Sequence, residues 1–226
     1  MSREVGIVGG GIGGLGVAAL LAKNGYSVHL FEKNPTLGGV CNHFSTQGFT
    51  FDTGPSWYMM PDVFEDFFSL FGEKIENFFK LVRLAPSCRM FFGTRAHSLD
   101  FFSDPTKDKK AFDLLEPGSW KHILPYYRRA RQKYHFVNAH IFHENRESLL
   151  DYVKLLFKKG GPSLGVLSSM DKEISSIANT LELNAVLQYP TIFLGAGPWH
   201  VPALYNFMFH AAFERGIWYP SGGMYQ

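Results

Sequence analysis

Apolar residues run almost unbroken from Val5 to Ala22 without a single charged side chain. The run divides by residue type. Glu4–Val8 is short, apolar and β-branched, as a strand buried on both faces should be. Leu15–Lys23 is helical in character, with Gly25 near its end as a stop. Ser27–Phe31 is again short and rich in strand formers, and it closes on an acid, Glu32. The pattern predicts a β-α-β unit. Farther on, Met60–Phe71 reads as a helix opened by Pro61 and stopped by Gly72. Its apolar face is Val63, Phe64, Phe67, Phe68 and Phe71, set either to pack in a core or to line a substrate entrance. Arg89–Phe92 and Leu99–Phe102 read as two strands joined by a short turn. The period then becomes helical over Trp120–Phe142, Glu147–Phe157 and Asp171–Thr180, with LFKKGGPSLG as a loop. Leu183–Phe213 lacks Asp, Glu, Lys and Arg, but Pro190, Pro198 and Pro202 interrupt it. It is expected to be buried or to face a membrane, not to span one.

Composition sharpens this picture in three places. Among 226 residues, 46% are apolar and 22 are Phe, which excludes a disordered chain and implies a large apolar surface to bury or present. The net charge of +2 gives no overall attraction to nucleic acid, although Asp104–Lys159 holds 12 Lys/Arg against 7 Asp/Glu, an excess of +5. Within that stretch YYRRARQKYHF mixes aromatic and basic residues, predicting a solvated helix face or a surface resting on anionic lipid rather than a nucleic-acid site. Cys41 and Cys88 are too few for a disulfide framework and suit a reducing compartment.

Candidate chemistry concentrates at the start of the chain. Gly9-x-Gly11-x-x-Gly14 falls between the first strand and the helix, the context a dinucleotide-binding turn requires. Gly9 allows the tight turn, Gly11 lets backbone approach a pyrophosphate, and Gly14 lets the helix pack closely on the strand. The helix N-terminus then offers free N–H groups and its positive dipole end to the phosphates. Glu32, 18 residues after Gly14, is placed to accept hydrogen bonds from a ribose diol and would repel a 2′-phosphate. A second pair, Gly38-Gly39, follows; plain NAD dehydrogenases usually lack it, so FAD is the favoured dinucleotide. His135, His140 and His143 invite a metal hypothesis. At about 100° per residue His140 and His143 share a helix face, His135 lies roughly 140° from His140, and Glu144 points elsewhere, so no metal is expected.

GFTFDTGPSWYMMPDVFEDFFSLFG, SLLDYVKLLFKKGGPSLGVLSSMDKEIS and YPTIFLGAGPWHVPALYNFMFHAAFERGIWYPSGGMYQ resemble segments of the bacterial-type phytoene desaturases. The resemblance implies an α/β fold: an FAD-binding, Rossmann-like, glutathione-reductase-type domain with a largely helical substrate-domain insertion. Residues 1–80 would be the FAD-binding β-α-β region, 81–215 a substrate- and membrane-facing domain, and 216–226 the start of a return to the FAD domain. By resemblance Gly9, Gly11, Gly13, Gly14, Glu32, Lys33, Gly38 and Gly39 hold FAD, and Gly54-Pro55 forms a turn near the flavin. One position departs: the glycine pair is usually followed by Arg, and here by Val40. Members of the family are much longer, so the chain is expected to be an N-terminal half, a split subunit or a truncated product, with a separate C-terminal half as partner. Its incomplete parallel sheet is expected to make it poorly soluble or self-associating when alone.

The activity implied is desaturation of a carotenoid precursor such as phytoene. Flavin takes a hydride from an allylic carbon, a proton leaves the cation, and electrons pass to oxygen or a quinone. That proton is already acidic, so no catalytic residue is assigned; Trp57, Trp199 and Tyr219 offer aromatic faces to the cation. A carotenoid isomerase, a saturase-like flavoprotein and a non-catalytic FAD-binding fragment are the alternatives. The expected partners are a hydrophobic polyene and a membrane surface, with no nucleic acid. The expected location is cytoplasmic and peripheral to the membrane.

Overall fold

The computed structural model describes residues 3–93, 98–158 and 161–225. The chain forms two compact units, Met1–Val82 with Trp218–Gln226, and Arg83–Ile217.

The first unit opens with β1 (Glu4–Val8), α1 (Ile12–Lys23) and β2 (Ser27–Phe31). The strands are parallel, from Glu4↔Ser27 to Val8↔Phe31. The helix starts at Ile12, ahead of the Leu15 that propensity predicts, because it grows straight out of the glycine turn; Leu15 N–H already donates to Gly11 O at 2.9 Å. Next come β3 (His43–Thr46) and β4 (Phe49–Asp52), an antiparallel hairpin in which Thr46 faces Phe49. Its loop, Gln47-Gly48, has φ of 50° and 82°, the left-handed geometry that matches strand twist in a two-residue hairpin. α2 (Pro61–Ser69) follows, shorter than the sequence predicts because its last residues tighten into three-residue turns, Phe71 N–H to Phe68 O and Gly72 N–H to Ser69 O. Its phenylalanines pack locally: Phe64 on Tyr58 at 4.6 Å and Phe68 on Phe78 at 5.0 Å. β5 (Leu81–Arg83) ends this stretch.

The second unit begins with β6 (Cys88–Met90) and β7 (Leu99–Phe101), antiparallel, with Arg89 and Asp100 paired across them at 2.6 Å. The turn expected between them includes residues 94–97, outside the described residues. α3 (Pro105–Leu115) comes next. Asp104 caps it by accepting from Thr106 N–H and Lys107 N–H, with Pro105 at its first position. α4 (Trp120–Val137) continues into a wider π turn, Asn138–Phe142. α5 (Leu149–Phe157) opens on a Ser148–Asp151 capping box, α6 spans Met170–Ser175, and α7 spans Leu181–Gln188. The single helix expected over Asp171–Thr180 ends early because Glu116 takes the N–H groups of Asn179 (2.7 Å) and Thr180 (3.0 Å). α8 (Phe207–His210) runs into a second π turn, Ala211–Arg215.

The core of this unit is aromatic. Phe209 stacks on Phe213 at 4.5 Å and meets Tyr126 and Tyr127 edge-on at 4.9 Å, while Phe101 joins Phe112 at 5.2 Å. The Lys133 ammonium is buried beside it, donating to Glu173 at 2.8 Å and to Ala203 O at 2.7 Å. The charge-free stretch 183–213 is thus short helical pieces around this core, with Leu183, Leu187, Phe209 and Phe213 buried. Among the described residues no helix is long and apolar enough to cross a membrane. The chain re-enters the first unit through β8 (Trp218–Pro220), which pairs with β5.

Candidate functional site

The site grows from the turn between β1 and α1. Gly9 ends β1 with φ of +103°, and its N–H donates to Phe31 O at 2.8 Å. A Cβ on Gly14 would lie 2.0 Å from Gly9 O, so any side chain there would force helix and strand apart. Gly11 is the extended N-cap of α1; no side chain caps the helix, and its first turn holds no acid. Gly13 sits exposed on that first turn with nothing within 4 Å of where a Cβ would be. The positive end of the helix is therefore left for an external anion.

Glu32 is fastened to this turn. One carboxylate oxygen accepts from Gly10 N–H at 2.7 Å and the other from Asn34 N–H at 2.9 Å. The N–H bonds from Asn34 and Gly10 hold its pKa below the usual carboxylate value, so it is ionised at neutral pH. Each carboxylate oxygen has a second lone pair, which leaves acceptor capacity for a diol. Gly10 is a site residue that the spacing rule passes over: a Cβ there would strike Leu37 at 2.6 Å and crowd Glu32 at 3.2 Å. Its only signal is a place inside an unbroken run of three glycines.

The second glycine pair packs directly on the first loop. Gly38 N–H donates to Gly10 O at 2.7 Å, and a Cβ on Gly39 would fall 3.0 Å from the Gly11 Cα. Gly54 presses instead on the chain just after the second pair, since a Cβ there would lie 1.9 Å from Val40 O. Pro55 and Lys33 are exposed at the margin, and Val40 is exposed too. Gly9, Gly10, Gly11, Gly14, Glu32, Gly38, Gly39 and Gly54 thus form one layered cradle of backbone. Asp52, at the end of β4, is the other residue the sequence reading missed. It accepts from the Tyr219 hydroxyl at 2.6 Å and from Met224 N–H at 3.1 Å.

Other candidate residues are placed differently. The aromatics of YYRRARQKYHF point into the core, with Tyr126, Tyr127, Tyr134 and Phe136 buried and Arg128 and Arg131 exposed. Of its basic residues Arg128 and Arg131 face out, while Lys133 is buried with the aromatics. Glu144, which helical spacing turns away, pairs with His140 at 3.3 Å and with Lys158 at 2.8 Å; the chain at 138–142 is a π turn, so the 100° rule does not apply there. Among the described residues no group of three His, Cys, Asp or Glu is arranged to hold a metal. Cys41 and Cys88 are free thiols, and burial pushes Cys88 up to about 12. Trp57 and Trp199 are exposed, while Tyr219 is held by Asp52.

Residues 7–73 match the NAD(P)-binding Rossmann-like domain family. The whole chain superposes on putrescine oxidase bound to putrescine with a TM-score of 0.56 at 19% identity, covering 100% of this chain and 47% of that one. Turn, helix and acid therefore belong to a dinucleotide-binding chain with the α/β fold of FAD oxidoreductases, and the cradle fits FAD. In sequence it is 37% identical to the carotenoid 3,4-desaturase of Haloarcula japonica, across 98% of this chain and 45% of that enzyme. It is 33% identical to the zeta-carotene-forming phytoene desaturase of Myxococcus xanthus, across 99% and 43%. Along nearly its whole length the chain is thus similar in sequence to carotenoid and phytoene desaturases. It spans less than half the length of these relatives.

Proposed function

We propose that the chain forms the FAD-holding part and a share of the substrate-binding part of a carotenoid desaturase. The observation that carries this reading is the doubled glycine cradle locked by Glu32, in a chain so similar to desaturases from end to end. The N-terminus of α1 would take the pyrophosphate, Glu32 the ribose diol, and Gly38-Gly39 with Gly54-Pro55 the adjoining part of the cofactor. Bound FAD would supply the oxidising power, accepting a hydride from an allylic carbon of the polyene. The chain's own task is to hold and orient, since a hydrocarbon offers nothing to hydrogen-bond. No base is assigned, because the proton lost after hydride removal is already acidic.

The relatives are about twice as long as their match to this chain, and the β1–β2 pair leaves parallel-strand edges open. Both support joint action with a C-terminal half, in the same or a separate polypeptide. Contact with a membrane surface is supported by α5. Leu150, Val153 and Phe157 lie on one face, 66%, 48% and 83% exposed, with Lys154 beside them. The test is to express the chain with and without a C-terminal half, feed phytoene, and analyse the product. New conjugated double bonds support a desaturase. Changed double-bond geometry or added hydrogen identifies an isomerase or saturase, and no turnover with flavin bound leaves a cofactor-holding fragment.

A further inference from the structure

Asp52 lies at the end of β4, yet one of its partners, Tyr219, comes from β8 and the other, Met224, from the segment that follows it. The Tyr219 hydroxyl donates to one carboxylate oxygen at 2.6 Å, and Met224 N–H donates to the other at 3.1 Å. These donors flank the Ser221-Gly222-Gly223 turn, whose glycines have φ of 101° and 112°. The carboxylate thus sits inside the turn and closes it; a Cβ on Gly223 would lie 3.4 Å from Asp52 Oδ1. Charge-assisted bonds of this length are among the stronger ones a side chain makes.

The closed turn leads back to the cradle. Cys41 Sγ donates to Met224 O at 3.1 Å. The Tyr225 ring packs on His43 at 4.5 Å, and a Cβ on Gly38 would come within 3.1 Å of it. Gly38 in turn donates its N–H to Gly10 O, beside the Gly10 N–H that Glu32 holds. A chain of direct contacts therefore runs from Asp52 through residues 219–225 to Gly38 and on to the phosphate turn. None of these groups is needed to form β1, α1 or β2, which pair through their own backbones.

We infer that Asp52, acting with the Tyr219 hydroxyl, is a positioning residue. It clasps the 219–225 turn against Gly38 and so sets the spacing of the two glycine loops for the dinucleotide. The inference rests on the FAD reading for its consequence but not for its structure, and two readouts keep them apart. The first is amide hydrogen exchange on the full chain, wild type against Asp52→Ala and Tyr219→Phe. Exchange at Gly10 and Gly38 is expected to quicken by about tenfold or more in Asp52→Ala, while Ile7 and Phe31 keep their wild-type protection. The second is FAD titration of the same proteins with the C-terminal half present. Affinity is expected to fall about tenfold in Asp52→Ala and less in Tyr219→Phe, with Asp52→Asn restoring part of the loss. Unchanged exchange at Gly38 overturns the clasp. Altered exchange with FAD affinity within about twofold of wild type overturns its positioning role. Altered exchange in a chain whose wild type takes no FAD upholds the clasp and sinks the FAD reading instead.

Discussion

The two units hold their shapes by different means. In Arg83–Ile217 the interior is apolar and closed: Phe101, Phe112, Tyr126, Tyr134, Phe209 and Phe213 are all under 2% exposed. In the β-α-β unit the apolar residues stand out instead, with Val8 91% and Phe31 60% exposed. What organises that region is backbone on backbone, glycine against glycine, with Glu32 and Asp52 as the side-chain ties. The lesson is that a helical unit can bury its own core, whereas a first β-α-β unit builds a surface for others. Its geometry is prepared for a ligand, and its stability is the more dependent on what binds it.

The difference can be broken or sharpened by mutation. Phe209→Ala removes a ring packed against Tyr126, Tyr127 and Phe213, and is expected to cost about 3–5 kcal/mol in chemical denaturation of the second unit. Lys133→Ala leaves Glu173 facing Arg129 alone and Ala203 O without its donor; a loss of about 2–3 kcal/mol is expected by the same measurement. Should either variant melt like wild type, the closed core is not what holds this unit.

Asp108 adds a pH test inside that core. Burial raises its pKa to about 6, against two N–H bonds, from Phe102 and Asp104, that pull it down. The folded state therefore keeps a proton that the unfolded state loses near pH 4, and the contribution of Asp108 to stability declines as pH rises from about 4 through about 6. Melting wild type and Asp108→Asn across this range should show the advantage of wild type shrinking by roughly 2 kcal/mol; an advantage that grows with pH contradicts the burial account. The smallest effect is expected in the first unit. Phe31→Thr changes an exposed side chain and should shift stability by less than about 0.5 kcal/mol, with a larger loss meaning that β2 is covered in solution.

Legibility in the sequence followed the range of the interactions. β1, α1, β2 and the glycine turn were readable because spacing, residue type and order all lie within Glu4–Glu32. α3 was not anticipated because its lysines mask a narrow buried stripe of Ala111, Phe112 and Leu115, although Asp104-Pro105 was a usable start signal. The turn that pairs β3 with β4 escaped because Gln47 is an unusual residue for a left-handed turn position. The break after α6 depends on Glu116, 63 residues away, and the Asp52 contacts span 167 and 172 residues. No local pattern carries such pairings. For the same reason the aromatic-basic helix was read from its composition, when only its packing partners, Phe209 above all, decide which side faces in.

The measurement that bears most directly on the account is FAD titration, followed by flavin absorbance, of the chain with its C-terminal half present. Wild type is compared with Gly14→Val and with Glu32→Gln, which leaves the turn unobstructed but removes the charge. The account predicts saturable, stoichiometric binding by wild type, loss of it in Gly14→Val, and weakening by about tenfold in Glu32→Gln. Binding that ignores both substitutions would contradict it, because the flavin would then be held somewhere other than the glycine cradle.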